Sequence, residues 1–343
     1  MALILGLESS CDDSAAALVT SDRKILAMAV VGQDAAHAPY GGVVPEIAAR
    51  AHVERLPDLI RQVLAEARVA PSDLDAVAAT AGPGLIGGVM VALLAGKGLA
   101  LAAGKPLIAV NHLEGHALSP RLADPALRFP YLLLLASGGH CQLLEVRGVG
   151  DYRRLATTID DAAGEAFDKS AKLLGLAYPG GPAIEALAAE GDPTAVPLPR
   201  PLFGSPEPHF SFAGLKSAVQ RAAVSGQHAK ADIAASFQQS VIDCLLDRTA
   251  RALAISDAPT LVVAGGVAAN QAVRSALADL AAKHGRHFSV PPGWLCTDNA
   301  AMIAWAGAER FALGLTDPLD APARARWPLD ENADKVRGAG VKA

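Results

Sequence analysis

Cysteine is sparse in this chain of 343 residues: Cys11, Cys141, Cys244 and Cys296 lie far apart and form no C-x-x-C pair. Neither a zinc ribbon nor a dithiol redox centre is expected, and a reducing, cytoplasmic setting fits. Charge is also low. Asp, Glu, Lys and Arg make up 19% of the chain, below the roughly 25% of an average globular protein. With 51% apolar residues and a mean hydropathy of +0.28, intrinsic disorder is excluded. Thirty basic against thirty-five acidic side chains leave a net charge of −5 and a pI near 6.0. No bulk cationic field therefore draws the chain to nucleic acid or anionic lipid, and any RNA contact has to be local or shared with a partner. The opening residues, MALILGLESSCDD, have no basic stretch before the apolar run and turn acidic at Glu8, so a secretory leader is not expected. The most apolar long stretch, residues 82–110, is interrupted by Lys97 and Lys105 and holds many glycines. It reads as a buried helix feeding a strand, with no membrane partner expected. Two nucleotide signatures are missing as well, G-x-x-x-x-G-K-[ST] and a G-x-G-x-x-G following a strand, which removes the P-loop and dinucleotide folds.

What is present alternates between strand and helix, and the length suits two domains at about 150 residues each. Residues 3–7 and 15–19 are apolar runs around a small polar turn, a hairpin by pattern. Residues 45–67 follow a helical period through Ile47, Val53, Leu56, Ile60 and Val63, and a strand is expected at 76–80. AGPGLIGG then leads into an apolar helix at about 89–103 and a buried strand at 107–110. A second hairpin, 131–136 and 141–146, begins a second lobe near Phe129. The two hairpins suggest related halves without amounting to a sequence repeat. Helices are expected over 161–174 and 182–189, followed by a long surface loop in which six prolines between 193 and 208 exclude regular structure. Ile233, Phe237, Val241 and Leu245 share a helix face, 261–264 is a strand, and helices follow at about 270–284 and 300–311. We assign 1–128 to a first lobe, completed by a C-terminal helix of about 299–327, 129–298 to a second lobe, and 328–343 to a frayed tail.

Three small-residue turns each follow a strand: residues 8–13, Ser137-Gly138-Gly139-His140, and the Gly265-Gly266 turn ending at Asn270. Such turns let backbone N–H groups approach a phosphate, although each alone can equally be a turn that needs positive φ. His112-Leu-Glu-Gly-His116 follows a buried strand, with Asn111 as N-cap. Residues four apart share one helix face, so both imidazoles can reach one metal, while two surface histidines would show the same spacing. Glu114 is displaced from the H-E-x-x-H position, so this is not a zincin. Asp298, before the last apolar helix, is either a third ligand or a plain N-cap. Asp161, Glu165 and Asp168 fall along one helix face beside Lys169 and Lys172, a pattern that ion pairing and ligand binding explain equally. Asp12 and Asp13 serve either proton transfer or turn formation.

The ordered blocks Glu8-Ser-Ser-Cys-Asp-Asp-Ser14, Tyr40-Gly-Gly-Val-Val-Pro-Glu46, Thr80-Ala-Gly-Pro-Gly-Leu85, His112-x-x-x-His116, Ser137-Gly-Gly-His140, Asp160 to Lys169, Tyr178-Pro-Gly-Gly-Pro182, Phe210-Ser-Phe-x-Gly-Leu-Lys216, Gly265-Gly-Val-x-x-Asn270 and Thr297-Asp-Asn299 run along nearly the whole chain. In these the chain resembles the TsaD/Kae1/Qri7 (Gcp) family of tRNA N6-adenosine threonylcarbamoyltransferases. The resemblance implies an actin-like (ASKHA) α/β fold of two lobes, each a mixed sheet flanked by helices, with the ligand in the interlobe cleft. It implies transfer of the threonylcarbamoyl group from L-threonylcarbamoyl-adenylate to N6 of the adenosine 3′ of the anticodon in tRNAs reading ANN codons, with release of AMP. Carried over by position, His112, His116 and Asp298 look like metal ligands, and Leu135, Ala136, Ser137, Gly138, Gly139, Asp168, Gly181 and Asn270 like the adenylate-binding set. Asp12 is a candidate proton acceptor. One divalent ion is implied, Fe(2+) by preference, with zinc or magnesium left open by ligand type. Implied partners are tRNA, an inactive paralogue pairing through the first lobe, and a small ATPase. The chain departs from the family pattern in reading Cys11-Asp-Asp where Cys-Asp-Glu is usual, and Asn111 where a histidine often precedes the first ligand. An actin-like sugar kinase, a metallopeptidase and a non-catalytic scaffold are the competing readings. The paired histidines argue against the first, the displaced Glu114 against the second, and the intact ligand set against the third.

Overall fold

The computed structural model describes residues 1–40, 42–334 and 336. Gly41 of the Tyr40-Gly-Gly block, and residues 335 and 337–343 of the expected tail, lie outside the described residues. The chain divides into two compact units, Met1–Leu127 with Thr297–Glu331, and Arg128–Cys296 with the described residues from Asn332 onward.

Unit 1 contains strands β1 (Leu3–Glu8), β2 (Ser14–Thr20) and β3 (Ile25–Val31), then the short helix α1 (Asp34–His37) and the long α2 (Pro45–Ala67). β4 (Ala76–Gly82), α3 (Ile86–Ala103), β5 (Leu107–Asn111) and α4 (His112–Ala123) follow. The strands form a mixed sheet in the order β3-β2-β1-β4-β5, antiparallel through β1–β3 and parallel from β1 to β5. Unit 2 begins with β6 (Tyr131–Ala136), β7 (Cys141–Gly148) and β8 (Asp151–Thr157), continues through α5 (Ala163–Leu174), α6 (Gly180–Ala188), α7 (Ala213–Ser225) and α8 (Lys230–Ile255), and closes with β9 (Thr260–Ala264), α9 (Gln271–Lys283), β10 (His287–Ser289) and α10 (Gly293–Cys296). Its sheet runs β10-β9-β6-β7-β8 with the same pattern of strand directions, so the two hairpins head equivalent sheets. The chain then returns to unit 1 as α11 (Ala300–Ala312).

Strand alternation decides what covers each face of the first sheet. Leu5 and Leu7 join a buried cluster with Leu56, Ile60 and Val63 of α2 and Ala92 and Leu93 of α3. Gly6, between them, faces α11 so closely that a Cβ there would lie 2.4 Å from the Ala300 carbonyl oxygen. Only glycine admits this approach.

Several elements depart from the sequence pattern. In α2 the buried positions are Ala48, His52, Leu56, Leu59, Ile60 and Val63, while Val53 is 60% exposed. The inward stripe therefore passes through a histidine, because His52 has hydrogen-bonding partners from Ser14, Gln33 and the Cys11 carbonyl. Helix α3 starts a turn earlier than expected and is not buried all round. By length and composition it is long and apolar enough to cross a membrane, and Gly88, Val89, Ala92, Leu93, Gly96 and Ala100 are buried, but Ile86, Met90, Leu94 and Leu101 are exposed. Asp161 precedes α5 and is not on its face. The expected C-terminal helix of 299–327 ends at Ala312, where Leu313 and Gly314 close it and Gly314 takes a φ of 72°. In the proline-rich segment Val196 and Leu198 are buried in unit 2, so that loop contributes to the core as well as to the surface.

Candidate metal centre and anion-binding turns

In unit 1, β5 hands directly into α4. Asn111 caps the helix by accepting from the Leu113 N–H at 2.9 Å, which starts α4 at His112 and sets His112 and His116 one turn apart. Both imidazoles are buried, against the surface-histidine alternative. Their rings meet edge to face with centroids 4.8 Å apart. Asp298 comes from the segment before α11. The cap of that helix is Asn299, which accepts from the Met302 N–H at 2.9 Å, so Asp298 is not the N-cap. Its Oδ1 lies 3.1 Å from His116 Nε2 and 3.5 Å from His112 Nε2.

The three ligand atoms all lie within 4.8 Å of one another. An ion bonded at about 2.0–2.2 Å to each donor keeps neighbouring donors roughly 3–3.5 Å apart, which is the spacing of Asp298 Oδ1 from each imidazole Nε2. Helix α4 is held against α11 by the absence of a side chain at Gly115, where a Cβ would lie 2.9 Å from Ile303 Cδ1, and by two ion pairs. Arg310 Nη1 is 3.1 Å from Glu114 Oε2, and Arg121 Nε is 2.8 Å from Glu309 Oε1. Glu114 thus serves the helix pairing.

The charges around the site are strongly unbalanced. Burial alone would lower the His112 pKa, but the Asp298 and Glu8 carboxylates and the hydrogen bond that the imidazole donates to Glu8 outweigh it and push it to about 9. Burial likewise opposes ionisation of Glu8, and the His112 charge and hydrogen bond hold its carboxyl below the usual range. Asp13 is pushed up to about 7, first by burial and then by the negative charges of Asp298 and Asp12. Asp12 and Asp13 lie in the half-buried turn between β1 and β2. A cluster of this sign favours a bound cation.

In unit 2 the expected adenylate residues occur on four segments that are tied in a ring. Leu135 and Ala136 end β6, where Leu135 is in register with Ala264 of β9. Ser137 begins the next turn, its N–H donating to the His140 carbonyl at 2.8 Å, and Gly138 and Gly139 are exposed. Two glycines bracket this turn: a Cβ on Gly164 of α5 would lie 2.6 Å from the Ser137 carbonyl oxygen, and one on Gly265 would lie 2.4 Å from that of Ala136. From α5, Asp168 accepts from the Gly180 N–H at 2.8 Å, which fixes Gly180 and Gly181 in the first turn of α6. From α6, Glu185 accepts from the Gln271 N–H at 2.6 Å. Asn270 caps α9 through the Val273 N–H and donates to Gln238 at 2.8 Å. The ring closes through Gly265. The arrangement gathers glycine turns and helix starts at the carboxyl ends of two parallel strands, where open α/β sheets bind ligands.

Asp160 accepts from Ser211 Oγ and the Phe212 N–H and anchors the start of α7. Asp161 pairs with Lys169 at 3.3 Å and Lys216 at 3.1 Å, so ion pairing accounts for it. Sequence reasoning passed over Glu8 as a site residue, and Glu185 and Gln238 altogether. An acid ending an apolar strand was a signal for Glu8; a glutamate four residues after Gly181 was one for Glu185. Nothing local marked Gln238.

A family profile described as TsaD, tRNA N6-adenosine threonylcarbamoyltransferase, matches residues 24–305. A protein of that name from Sphingopyxis alaskensis is 75% identical over 344 residues, covering 100% of both chains. Another, from Zymomonas mobilis, is 66% identical and covers 100% of this chain and 96% of its own. Among solved structures, HypF of T. kodakarensis superposes with a TM-score of 0.61 at 15% identity, over 92% of this chain and 48% of that one. Component A of (R)-2-hydroxyglutaryl-CoA dehydratase from Acidaminococcus fermentans gives 0.56 at 18% identity, over 91% and 100%. The two structural likenesses speak for the fold alone, the actin-like ASKHA class expected from the sequence.

Proposed function

We propose the following division of labour from one premise: the chain belongs to the TsaD family of tRNA N6-adenosine threonylcarbamoyltransferases. It is a transferase that forms threonylcarbamoyladenosine in tRNA. The donor is L-threonylcarbamoyl-adenylate, the acceptor is N6 of the adenosine 3′ of the anticodon in tRNAs reading ANN codons, and AMP leaves. Leu135, Ala136, Ser137, Gly138 and Gly139, with Asp168, Gly181 and Asn270, hold the adenylate. Their support is the closed ring of ties between the β6 turn, α5, α6 and α9. The exposed Gly138-Gly139 backbone can approach a phosphate without a side chain between, and the ring keeps the mixed anhydride oriented for attack by the adenosine amine.

His112, His116 and Asp298 hold one divalent cation, with Fe(2+) preferred for two imidazoles, one carboxylate and open positions. Bound there, the ion supplies Lewis-acid polarisation of phosphate or carbamoyl oxygens. Asp12 accepts the proton lost by the amine, and no covalent enzyme intermediate is required. The observation that carries the reading is the approach of two buried imidazoles from α4 and one carboxylate from the segment before α11 to within 4.8 Å of one another.

The exposed apolar row Ile86, Met90, Leu94 and Leu101 on α3 docks the inactive paralogue, and the small ATPase joins that assembly. tRNA binds a local basic surface, since the net charge is −5. Four free cysteines suit the cytoplasm. The test supplies the adenylate and unmodified tRNA, then searches nucleoside digests for threonylcarbamoyladenosine. Wild type makes it, and His112→Ala, His116→Ala and Asp298→Ala do not. Full activity in a metal-free His112→Ala/His116→Ala protein refutes the ligand assignment.

A further inference from the structure

Glu8 ends β1, the central strand of the first sheet, and its carboxylate is fully buried. An ionised group in such a place is costly unless every oxygen is satisfied, and an apolar side chain there would pack at no such cost. Both oxygens are satisfied. Oε1 accepts from the Ser10 N–H at 2.5 Å, and Oε2 accepts from Thr80 Oγ1 at 2.6 Å and lies 2.9 Å from His112 Nδ1. Thr80 comes from β4, the parallel neighbour of β1, so the orientation of the carboxylate is set by two adjacent strands. Ser10 Oγ lies 3.1 Å from the same imidazole nitrogen. A carboxylate oxygen can only accept, so Nδ1 of His112 carries the hydrogen when the ring is neutral. Its other nitrogen, Nε2, then presents a lone pair on the side of Asp298, 3.5 Å away. His116 differs. Its Nδ1 is buried with no hydrogen-bond partner among the described residues.

We propose that Glu8, held by Thr80 and the Ser10 backbone, is a positioning residue that fixes the tautomer and ring orientation of His112 for metal ligation through Nε2. The inference rests on the reading of His112, His116 and Asp298 as metal ligands. A carboxylate behind a ligating histidine raises its basicity and orients its ring, and loss of such a partner weakens metal binding by about 10–100-fold.

The experiment titrates metal-free, full-length protein with Co(2+), following the visible absorption band and measuring affinity by competition with a chelator. Glu8→Gln is nearly isosteric and is expected to weaken Co(2+) binding by about 10–100-fold. Thr80→Val is expected to weaken it in the same direction, and Thr80→Ser to restore the wild-type value, with circular dichroism unchanged throughout. In spectra of ring-15N-labelled histidine, metal-free wild type above pH 9 shows His112 as the Nδ1–H tautomer, and Glu8→Gln shows a mixture. Should Glu8→Gln fail to fold, Thr80→Val decides. Wild-type affinity in whichever of the two folds overturns the role of Glu8 while leaving the metal reading intact, provided His112→Ala loses the band. Absence of any Co(2+) site in wild type overturns both.

Discussion

Replacing Gly265 by alanine separates a backbone requirement from mere turn composition, because its neighbour Gly266 provides an internal control. Gly265 is buried with a φ of 90° and ψ of 164°, a region open essentially only to glycine. Forcing a side chain into it costs about 1–3 kcal/mol. The new Cβ would also lie 2.4 Å from the Ala136 oxygen and 2.7 Å from its carbonyl carbon. Neither is the flexible end of a side chain, so the end of β6 has to move, adding about 1–3 kcal/mol. The two together come to about 2–6 kcal/mol. At roughly 2–4 °C per kcal/mol for a unit of this size, melting of unit 2 should fall by at least about 4 °C. AMP affinity, measured by calorimetry, should fall with it, because the displaced peptide leads into Ser137-Gly138-Gly139. Gly266 is exposed and a Cβ on it meets nothing within 4 Å. Gly266→Ala should therefore stay within about 0.5 kcal/mol of wild type. Equal behaviour of the two variants, or an unstable Gly265→Ala with undiminished AMP affinity, would refute the coupling of the β9 turn to the turn proposed to hold the adenylate.

Arg310→Met removes a charged partner of the buried Glu114 carboxylate, which is 2% exposed, and should destabilise unit 1 by about 1.5–3 kcal/mol in urea unfolding. Adding Glu114→Met should recover most of that loss; no recovery would show that the pair is not what holds α4 to α11. Burial lowers the pKa of His52 below 6.5, against the Cys11 carbonyl and the Glu8 charge. Because the unfolded imidazole takes up a proton that the folded one resists, this stability is complete above pH 6.5 and is lost as pH falls through and below it. Melting temperatures between pH 8 and 5 should fall less steeply for His52→Gln than for wild type. Saturating Co(2+) at 100 times its dissociation constant should stabilise wild type by about 2.7 kcal/mol, and His116→Ala not at all. A shift of equal size in that variant would place the ion elsewhere.

The features legible in the sequence are those decided within a few residues. Helix α2 runs over the expected residues, and Asn111 caps α4 as expected, because the cap joins an oxygen to an N–H two positions on. Both hairpins and the Ile233 to Leu245 stripe follow from periodicity in the same way. Spacing alone left His112 and His116 between a metal pair and two surface histidines, and Asp298 between a third ligand and a helix N-cap, and the family resemblance favoured the ligand reading of all three. Burial decided the first question, since a shared helix face does not reveal what lies against it.

Tertiary structure alone decided the rest, where contacts join residues far apart in the chain. His116 meets Asp298 across 182 positions, Glu114 meets Arg310 across 196, and Glu8 meets Thr80 and His112 across 72 and 104. The inward turn of His52 and the outward turn of Val53 depend likewise on partners supplied by other segments. A local pattern records which groups a residue carries and how its own backbone bends. Whether a polar group can be buried depends on a partner arriving from elsewhere, and only the packed chain supplies that.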